Sequence, residues 1–546
     1  MKKFSLIFAL VVLVSAMAFA GGGTQAAGPV SSGAYVRDPN LNAPGTFPIN
    51  KTRVPLRIGV EQNAAVEDFE TNYMTLLIED RGNYDLSFEI YPTSGGAQAI
   101  ELMIMAGGAD LPDAVWGGWS VSVLTRYGQA GMILPLNVYY QNSAYHINKS
   151  KADWEIDPIK YITSYDGNIY GILSMTGGIN NEYSANWVNI YEPWLIKLGF
   201  NMPGTIAEFE TVLKAFKDRD PNGNGRADEI PLTGESGTTI GNMLNALMNP
   251  FIYTQANYWM FNNGRIDVAF NKPAWREGLR YAKSLYDQEL ISPLAFTQNG
   301  TQMTASISTD PATVGAFARI STSNLGLNDP KIEEYLIQQP LEGPGGKNAL
   351  WNPTLPGQRM IITKNCKTPE SAFMLGDFMC SEEMSVMSRY GEKGVDWLEP
   401  GPNDKGSFES LGYPAMVIPI AQWGVLQNKW YAVTGPHMLS NKWNSGAVVP
   451  PGTISVYTPL GRSMGPVVAA ANKNPIVGLV YNEQEQQVMD EFHTTILEYV
   501  RESWARFVTG DLSIDRNWDS YVAEFDRMGL RDVLNVTQSA WDRMNR

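Results

Sequence analysis

Histidine and cysteine are nearly missing from this 546-residue chain, which has three His and two Cys. His146, His437 and His493 lie too far apart for the short, regular spacing of a zinc site, and no His-Glu-x-x-His occurs. Cys366 and Cys380 allow one disulfide at most, which excludes a disulfide framework and leaves open both a single bridge and two buried thiols. Charged residues are sparse as well, at 18%, and the formal net charge is −15. That acidic balance argues against nucleic acid and anionic membranes as partners. Beyond the first twenty residues no run is long and apolar enough to span a bilayer.

What is present begins with Lys2 and Lys3, an apolar run from Phe4 to Phe19, and the small-residue exit Ala18-Phe19-Ala20. This reads as a secretory signal peptide over 1–20, and no cysteine near the cleavage point marks a lipoprotein anchor. Residues 21–50, rich in Gly, Ala, Ser and Pro, read as a flexible tether. The mature chain is expected to be soluble and exported, periplasmic or extracellular, with a charge of −17 once the two lysines leave the −15 total. About 500 ordered residues exceed one core, so two or more lobes are expected.

Val54–Val60 and Tyr84–Tyr91 read as strands flanking a helix over about 63–80, a βαβ unit that predicts an α/β fold with a parallel sheet. Ala97–Ala106 reads as a helix, and strands are expected at 111–116 and 167–173. Thr205-Ile-Ala-Glu208 is a capping box opening a helix that runs to Asp218. Apolar residues every three or four positions over 483–509 predict one long amphipathic helix. Residues 398–480 are irregular, and loops of that length tend to carry function.

The stretch 220–232, Asp-Pro-Asn-Gly-Asn-Gly-Arg-Ala-Asp-Glu-Ile-Pro-Leu, offers alternating oxygen donors on a turning chain. Hard cations want six to eight oxygens; Asp220, Asn222, Asn224, the Arg226 carbonyl and Asp228 fall at EF-hand offsets for a structural Ca²⁺, and Glu229 adds a further carboxylate. The twelfth position is Pro231 where an EF-hand has a bidentate Glu, so Asp228 and Glu229 must close the shell. The plainer alternative is a polar Asn-Gly turn.

Catalytic patterns are weak. Gly461-Arg-Ser-Met-Gly465 matches a nucleophile elbow, but downstream His493 and Asp490 share one predicted helix. Gly343-Pro-Gly-Gly-Lys347 lacks the phosphate-loop spacing and reads as a turn. No catalytic residue is assigned.

The runs Trp194-Leu-Ile-Lys-Leu-Gly-Phe200, Pro203–Phe209 and Leu213–Lys217, followed by the 220–232 loop, resemble the extracellular solute-binding proteins of carbohydrate ABC transporters. Met105–Asp113, Gly131–Leu136, Tyr165–Gly171, Tyr390–Trp397, Phe507–Leu512 and Gln538–Arg543 agree in order, so the likeness spans about 54–543. It is nearest to the large subgroup that includes alginate-oligosaccharide-binding proteins. The resemblance implies a two-lobed periplasmic-binding-protein fold of type II with three hinge crossings and a ligand cleft between the lobes. The crossings are placed near Met175, Phe317 and Met360, giving an N-terminal lobe of 51–175 and 315–360 and a C-terminal lobe of 176–314 and 361–546. It also implies the Ca²⁺ ligands named above and a monomer that binds an oligosaccharide without chemistry and hands it to membrane permease subunits. A secreted carbohydrate-active hydrolase and a sugar-binding sensor are the alternatives.

With 15 Trp and 25 Tyr, the chain has flat apolar faces suited to sugar rings. Trp116 and Trp119 flank a Gly-Gly pair at the end of a predicted strand, where open α/β sheets bind ligands. Trp187 follows the first expected crossing, and Trp423, Trp430 and Trp443 punctuate the irregular region. These six are the candidate stacking rings. Trp116 and Trp423 are expected to weaken binding when truncated, without loss of stability.

Overall fold

The structure is a computed structural model that describes residues 35–183, 188–236, 240–253, 255–318, 325, 329–421 and 423–545. The signal-peptide reading over 1–20 and Trp187 lie outside the described residues.

Nine of the described strands build the two larger sheets. They are β1 (Val54–Glu61), β2 (Tyr84–Tyr91), β3 (Ala114–Trp119), β4 (Ile172–Thr176), β5 (Val188–Tyr191), β6 (Ala316–Ala318), β7 (Tyr335–Ile337), β8 (Gly357–Ile362) and β9 (His437–Leu439). Six form one sheet in the order β9-β4-β8-β3-β1-β2. All are parallel but β8, which runs antiparallel to β3 and β4. Val54, Leu56, Ile58 and Val60 alternate into its core, and the helix Tyr73–Gly82 completes the β1–β2 crossover. That helix starts ten residues later than expected because Asn72 caps it, its side chain accepting from the Met74 amide at 3.0 Å. A smaller antiparallel sheet, β6-β5-β7, carries a second core.

In the second core the capping box is present as expected: Thr205 accepts from the Glu208 amide at 3.1 Å and Glu208 accepts from that of Thr205 at 3.2 Å, opening a helix over Ile206–Asp218. Phe209, Val212, Leu213 and Phe216 put its apolar stripe into the core, beside Trp275 and Trp504. The expected helix over 483–509 is present, with one π-turn at Phe492–Ile496 inside it.

Core membership moves the expected lobe boundaries. Phe317 is no crossing, since β6 pairs with β5 in the second core. The helix Pro369–Met379, buried along ten residues, and the segment 430–438 pack on the six-stranded sheet, not in the second lobe. Hydrophobic pairing outweighs chain proximity here: 357–362 and 437–439 return to the first sheet as strands and carry their neighbours with them. The chain therefore passes between the cores after β4, between Trp351 and β8, and after β9. A third, small apolar cluster of Ile179, Tyr183, Trp351, Phe408 and Leu460 lies among these passages.

Residues 38–50, expected as tether, are packed. Asn50 is fully buried; its amide donates to the Gly82 carbonyl at 2.9 Å and its oxygen accepts from Ser371 at 2.7 Å. Removing both partners' bonds strands buried polar groups, so Asn50→Ala should lower unfolding stability by about 1–3 kcal/mol in denaturant titration. A change below ~0.5 kcal/mol, the size of an ordinary surface substitution, would restore the tether reading at this end.

Candidate functional site

Because β1, β2, β3, β4 and β9 are parallel, their carboxyl ends share one edge of the sheet, together with the start of antiparallel β8. Backbone carbonyls and loop side chains converge at such an edge, the usual ligand position in open α/β sheets. Three cavities follow it. The largest, about 410 Å³, is lined by Glu61, Gln62 and Asn63 after β1, Gly117 and Gly118 in β3, Arg359 in β8 and Thr434 before β9. A second, about 250 Å³, lies between Trp119, Ser122, Tyr161 and Gln358 on one side and 478–486 on the other. The segment 478–486 adjoins the second core, so this cavity sits between the two cores. A third, about 220 Å³, adjoins the ends of β4 and β9.

Gly118 explains the floor of the large cavity. A Cβ there would meet the Arg359 guanidinium at 2.9 Å, so glycine is what lets Arg359 lie across the strand. Among the described residues Arg359 makes no hydrogen bond or ion pair, and its charged end is available to a ligand. Asn63 is held in place by a 2.9 Å bond from its amide to Thr434. Behind Arg359, His437 is buried between the Gly435 carbonyl at 2.9 Å and the Thr176 hydroxyl at 2.7 Å. A carbonyl only accepts, so Nδ1 carries the proton and Nε2 accepts from Thr176. Burial, together with the nearby Arg359 charge, brings the His437 pKa down to about 4. Among the described residues Arg359 is thus a free cation at the edge, and the imidazole behind it stays neutral.

The aromatic candidates separate. Trp116 is a core ring, 1% exposed, set edge-on to Phe88 at 5.5 Å and Tyr431 at 5.3 Å. It lines the large cavity but cannot offer a stacking face, and its truncation removes core packing worth ~3–5 kcal/mol. Trp430 is likewise buried in the first core. Trp443 packs edge-to-face on Trp397 at 5.9 Å and donates to Glu382 at 2.9 Å. Trp423 is half exposed, with the Arg389 guanidinium 3.7 Å from its ring centroid covering one face. Only Trp119 joins a carboxyl-edge cavity as a half-buried ring. Glu61, Gln62, Asn63, Gln358 and Arg359 escaped the sequence reading. The first three directly follow a strand that the sequence identifies, so the strand-end rule that singled out Trp116 reaches them too.

The loop 220–229 is a nest of turns. Asp220 sits at φ 44° and accepts from the amides of Gly223, Asn224 and Gly225 at 2.9–3.1 Å. Asn222 and Asn224 donate to Asp228 at 3.0 and 3.1 Å. Glu229 Oε1 is buried without a partner, and burial, then the Asp220 and Asp228 charges, raise its pKa. Among the described residues no group of three or more His, Cys, Asp or Glu is gathered as a metal cluster.

Neither catalytic pattern survives. Ser463 lies in the helix Tyr457–Ser463, donates to the Pro459 carbonyl at 2.6 Å and accepts from the Ile337 amide at 3.0 Å. Residues 342–347 form a small hairpin. Cys366 and Cys380 are both buried free thiols.

Residues 64–391 match the model of the bacterial extracellular solute-binding protein family. The chain belongs to that family. It is 25% identical over 512 residues, 91% of its length and 92% of the relative's, to the fructooligosaccharide ABC transporter substrate-binding protein FusA of Streptococcus pneumoniae. Its fold matches that of FusA in complex with kestose, with TM-score 0.64, 21% identity and coverage of 90% and 99%. It also matches an extracellular solute-binding protein from Bifidobacterium longum subsp. infantis, with TM-score 0.71, 18% identity and coverage of 90% and 99%. The fold is thus the two-lobed binding-protein fold, and the carboxyl edge of the first sheet borders the space between the lobes. Among the described residues no helix is long and apolar enough to cross a membrane.

The neutral His437 gives a pH test. The folded protein keeps it unprotonated down to about pH 4, whereas an unfolded histidine takes its proton near pH 6.5. Stability is therefore present above 6.5 and lost as pH falls toward 4. Between pH 7 and 4.5 the parent should lose about 2 kcal/mol more than His437→Asn in parallel denaturant titrations. His146, lowered to about 4 by burial, contributes equally to both proteins and cancels. Identical acid slopes would show that His437 is not held neutral by the fold.

Proposed function

We propose that this protein is the extracytoplasmic substrate-binding component of an ABC importer, exported by residues 1–20, binding an oligosaccharide between its lobes and delivering it to permease subunits. The observation that carries this is the carboxyl-edge cleft itself. Its cavities are lined by amides, hydroxyls, one unpaired guanidinium and the half-exposed Trp119, a set that binds sugar hydroxyls and ring faces. Full-length similarity to a fructooligosaccharide-binding relative supports the same reading. The protein acts as a monomer and binds without turnover: Ser463, the one serine in an elbow-like setting, already spends its hydroxyl on two backbone groups. Closure of the lobes on the ligand would be what the permease recognises.

The test is calorimetric titration with a panel of neutral and uronate oligosaccharides, kestose and nystose included. Saturable one-to-one binding without new products is expected, weakened about tenfold by Arg359→Ala, the loss of one charge-assisted hydrogen bond. Products that persist through repurification and vanish in a single-residue variant would establish the hydrolase reading. A parent that binds no oligosaccharide would end the transport reading.

We also propose that the 220–229 loop holds a structural Ca²⁺. Glu229 Oε1 is a buried carboxylate oxygen without a donor, and two further carboxylates face the same loop. Asn222 and Asn224 oxygens that accept from backbone amides keep a second lone pair for a cation. The ion would cross-link Asp220, Asn222, Asn224, the Arg226 carbonyl, Asp228 and Glu229. A relative of similar fold, the alginate-binding protein AlgQ2, is known in a form described as without calcium ion, with TM-score 0.58, 21% identity and coverage of 91% and 100%. A ligand bound only by the native state at a hundredfold excess over Kd adds roughly 2.7 kcal/mol, so chelation should lower the melting temperature. Asp220→Ala should remove that response; equal melting of parent and variant with and without calcium would leave the loop a plain polar turn.

A further inference from the structure

Glu182 is buried, 6% exposed, and follows β4 on the first passage between the cores. Its carboxylate accepts from Trp351 Nε1 at 3.2 Å and from the Thr354 hydroxyl at 3.2 Å, both on the second passage. It accepts from Asn441 Nδ2 at 3.1 Å on the third, and the Glu182 carbonyl takes the Asn352 amide at 2.8 Å. One carboxylate thus ties all three connections together. It does so beside the 220 Å³ cavity, whose wall includes Trp154, Trp351, Thr354, Tyr413 and Ser440.

Three polar atoms of that wall are buried with no partner, the Trp154 Nε1, the Ser440 hydroxyl and the Asn441 Oδ1. A buried donor without an acceptor is destabilising, a cost that a ligand hydroxyl entering the cavity would relieve. The wall offers one N–H donor, one hydroxyl of either role, an amide oxygen, a carboxylate and the half-buried ring of Tyr413, which is the complement of a polyhydroxylated ring. The ring should be uncharged. Among the described residues Glu182 has no cation within 4 Å, and the two nearby lysines are engaged: Lys442 with Asp153 at 2.8 Å and Glu382 at 3.0 Å, Lys473 with Glu155 at 3.0 Å. A sugar carboxylate would face Glu182 with no free positive charge to offset it.

We propose that this cavity is a subsite for one uncharged sugar ring, with Glu182 as the group that transmits its occupancy to the three connections. The proposal rests on the oligosaccharide-binding reading above and deepens it. Saturation-transfer NMR on the full chain, with D-glucose, D-fructose, D-galactose and D-mannose as probes and D-glucuronate as the charged control, tests it. At least one neutral hexose should receive transfer and glucuronate should not. Ser440→Ala and Trp154→Phe, which each delete one polar atom and keep the packing, should weaken the hexose about tenfold with little change in melting temperature. Glu182→Gln should do the same and, in addition, speed hydrogen exchange at 351–354 and 440–442. No transfer from any hexose, equal transfer in parent and variants, or preference for glucuronate would overturn the subsite. Parental oligosaccharide affinity in Ser440→Ala and Trp154→Phe would overturn it while leaving the transport reading standing, whereas a parent without oligosaccharide affinity fails that reading itself.

Discussion

The first sheet recruits its six strands from four distant stretches of chain, and almost everything else in the molecule follows from that pairing. β8 fits between β3 and β4 only by returning from the second core, and β9 pairs beside β4 only by arriving some 260 residues later in sequence. Each return forces a passage between the cores. The number of connections is thus a consequence of strand pairing, and three adjacent connections permit a bending motion while restricting others. The small cluster around Tyr183, Trp351 and Leu460 packs those connections with apolar side chains, and the buried Glu182 ties them with hydrogen bonds.

The same pairing pattern creates the binding edge. Parallel strands end together, so the residues following β1, β4 and β9 meet the start of antiparallel β8. Gly118 in β3 keeps the backbone bare where Arg359 crosses it. A cation without a partner, amides held by neighbours and a histidine locked neutral make an edge that can bind hydroxyl groups strongly. Elsewhere among the described residues Ser463 is bonded on both sides and both thiols are buried, Cys366 with its pKa raised to about 12 chiefly by burial.

Local signals were legible from the sequence where one segment supplies all the physics. The Thr205–Glu208 capping box and the turn chemistry of 220–229 each depend on residues within a few positions of one another, and the β1–β2 unit on one short stretch of chain. The family likeness was legible for the same reason, as short ordered runs. The boundaries of the lobes were not, because 361–439 belongs to whichever core its strands pair with, and pairing across hundreds of residues leaves no local mark. Nor was the role of Trp116: a tryptophan at a strand end reads alike whether its ring faces the cleft or Phe88 and Tyr431.

The α/β class was readable from the sequence alone, since composition, periodicity and capping act over short distances. Tertiary structure alone decided which polar groups have partners. Arg359 is free, His437 is neutral and Glu182 is shared among three connections because burial and charge depend on neighbours brought from elsewhere in the chain, and those neighbours are set by strand pairing.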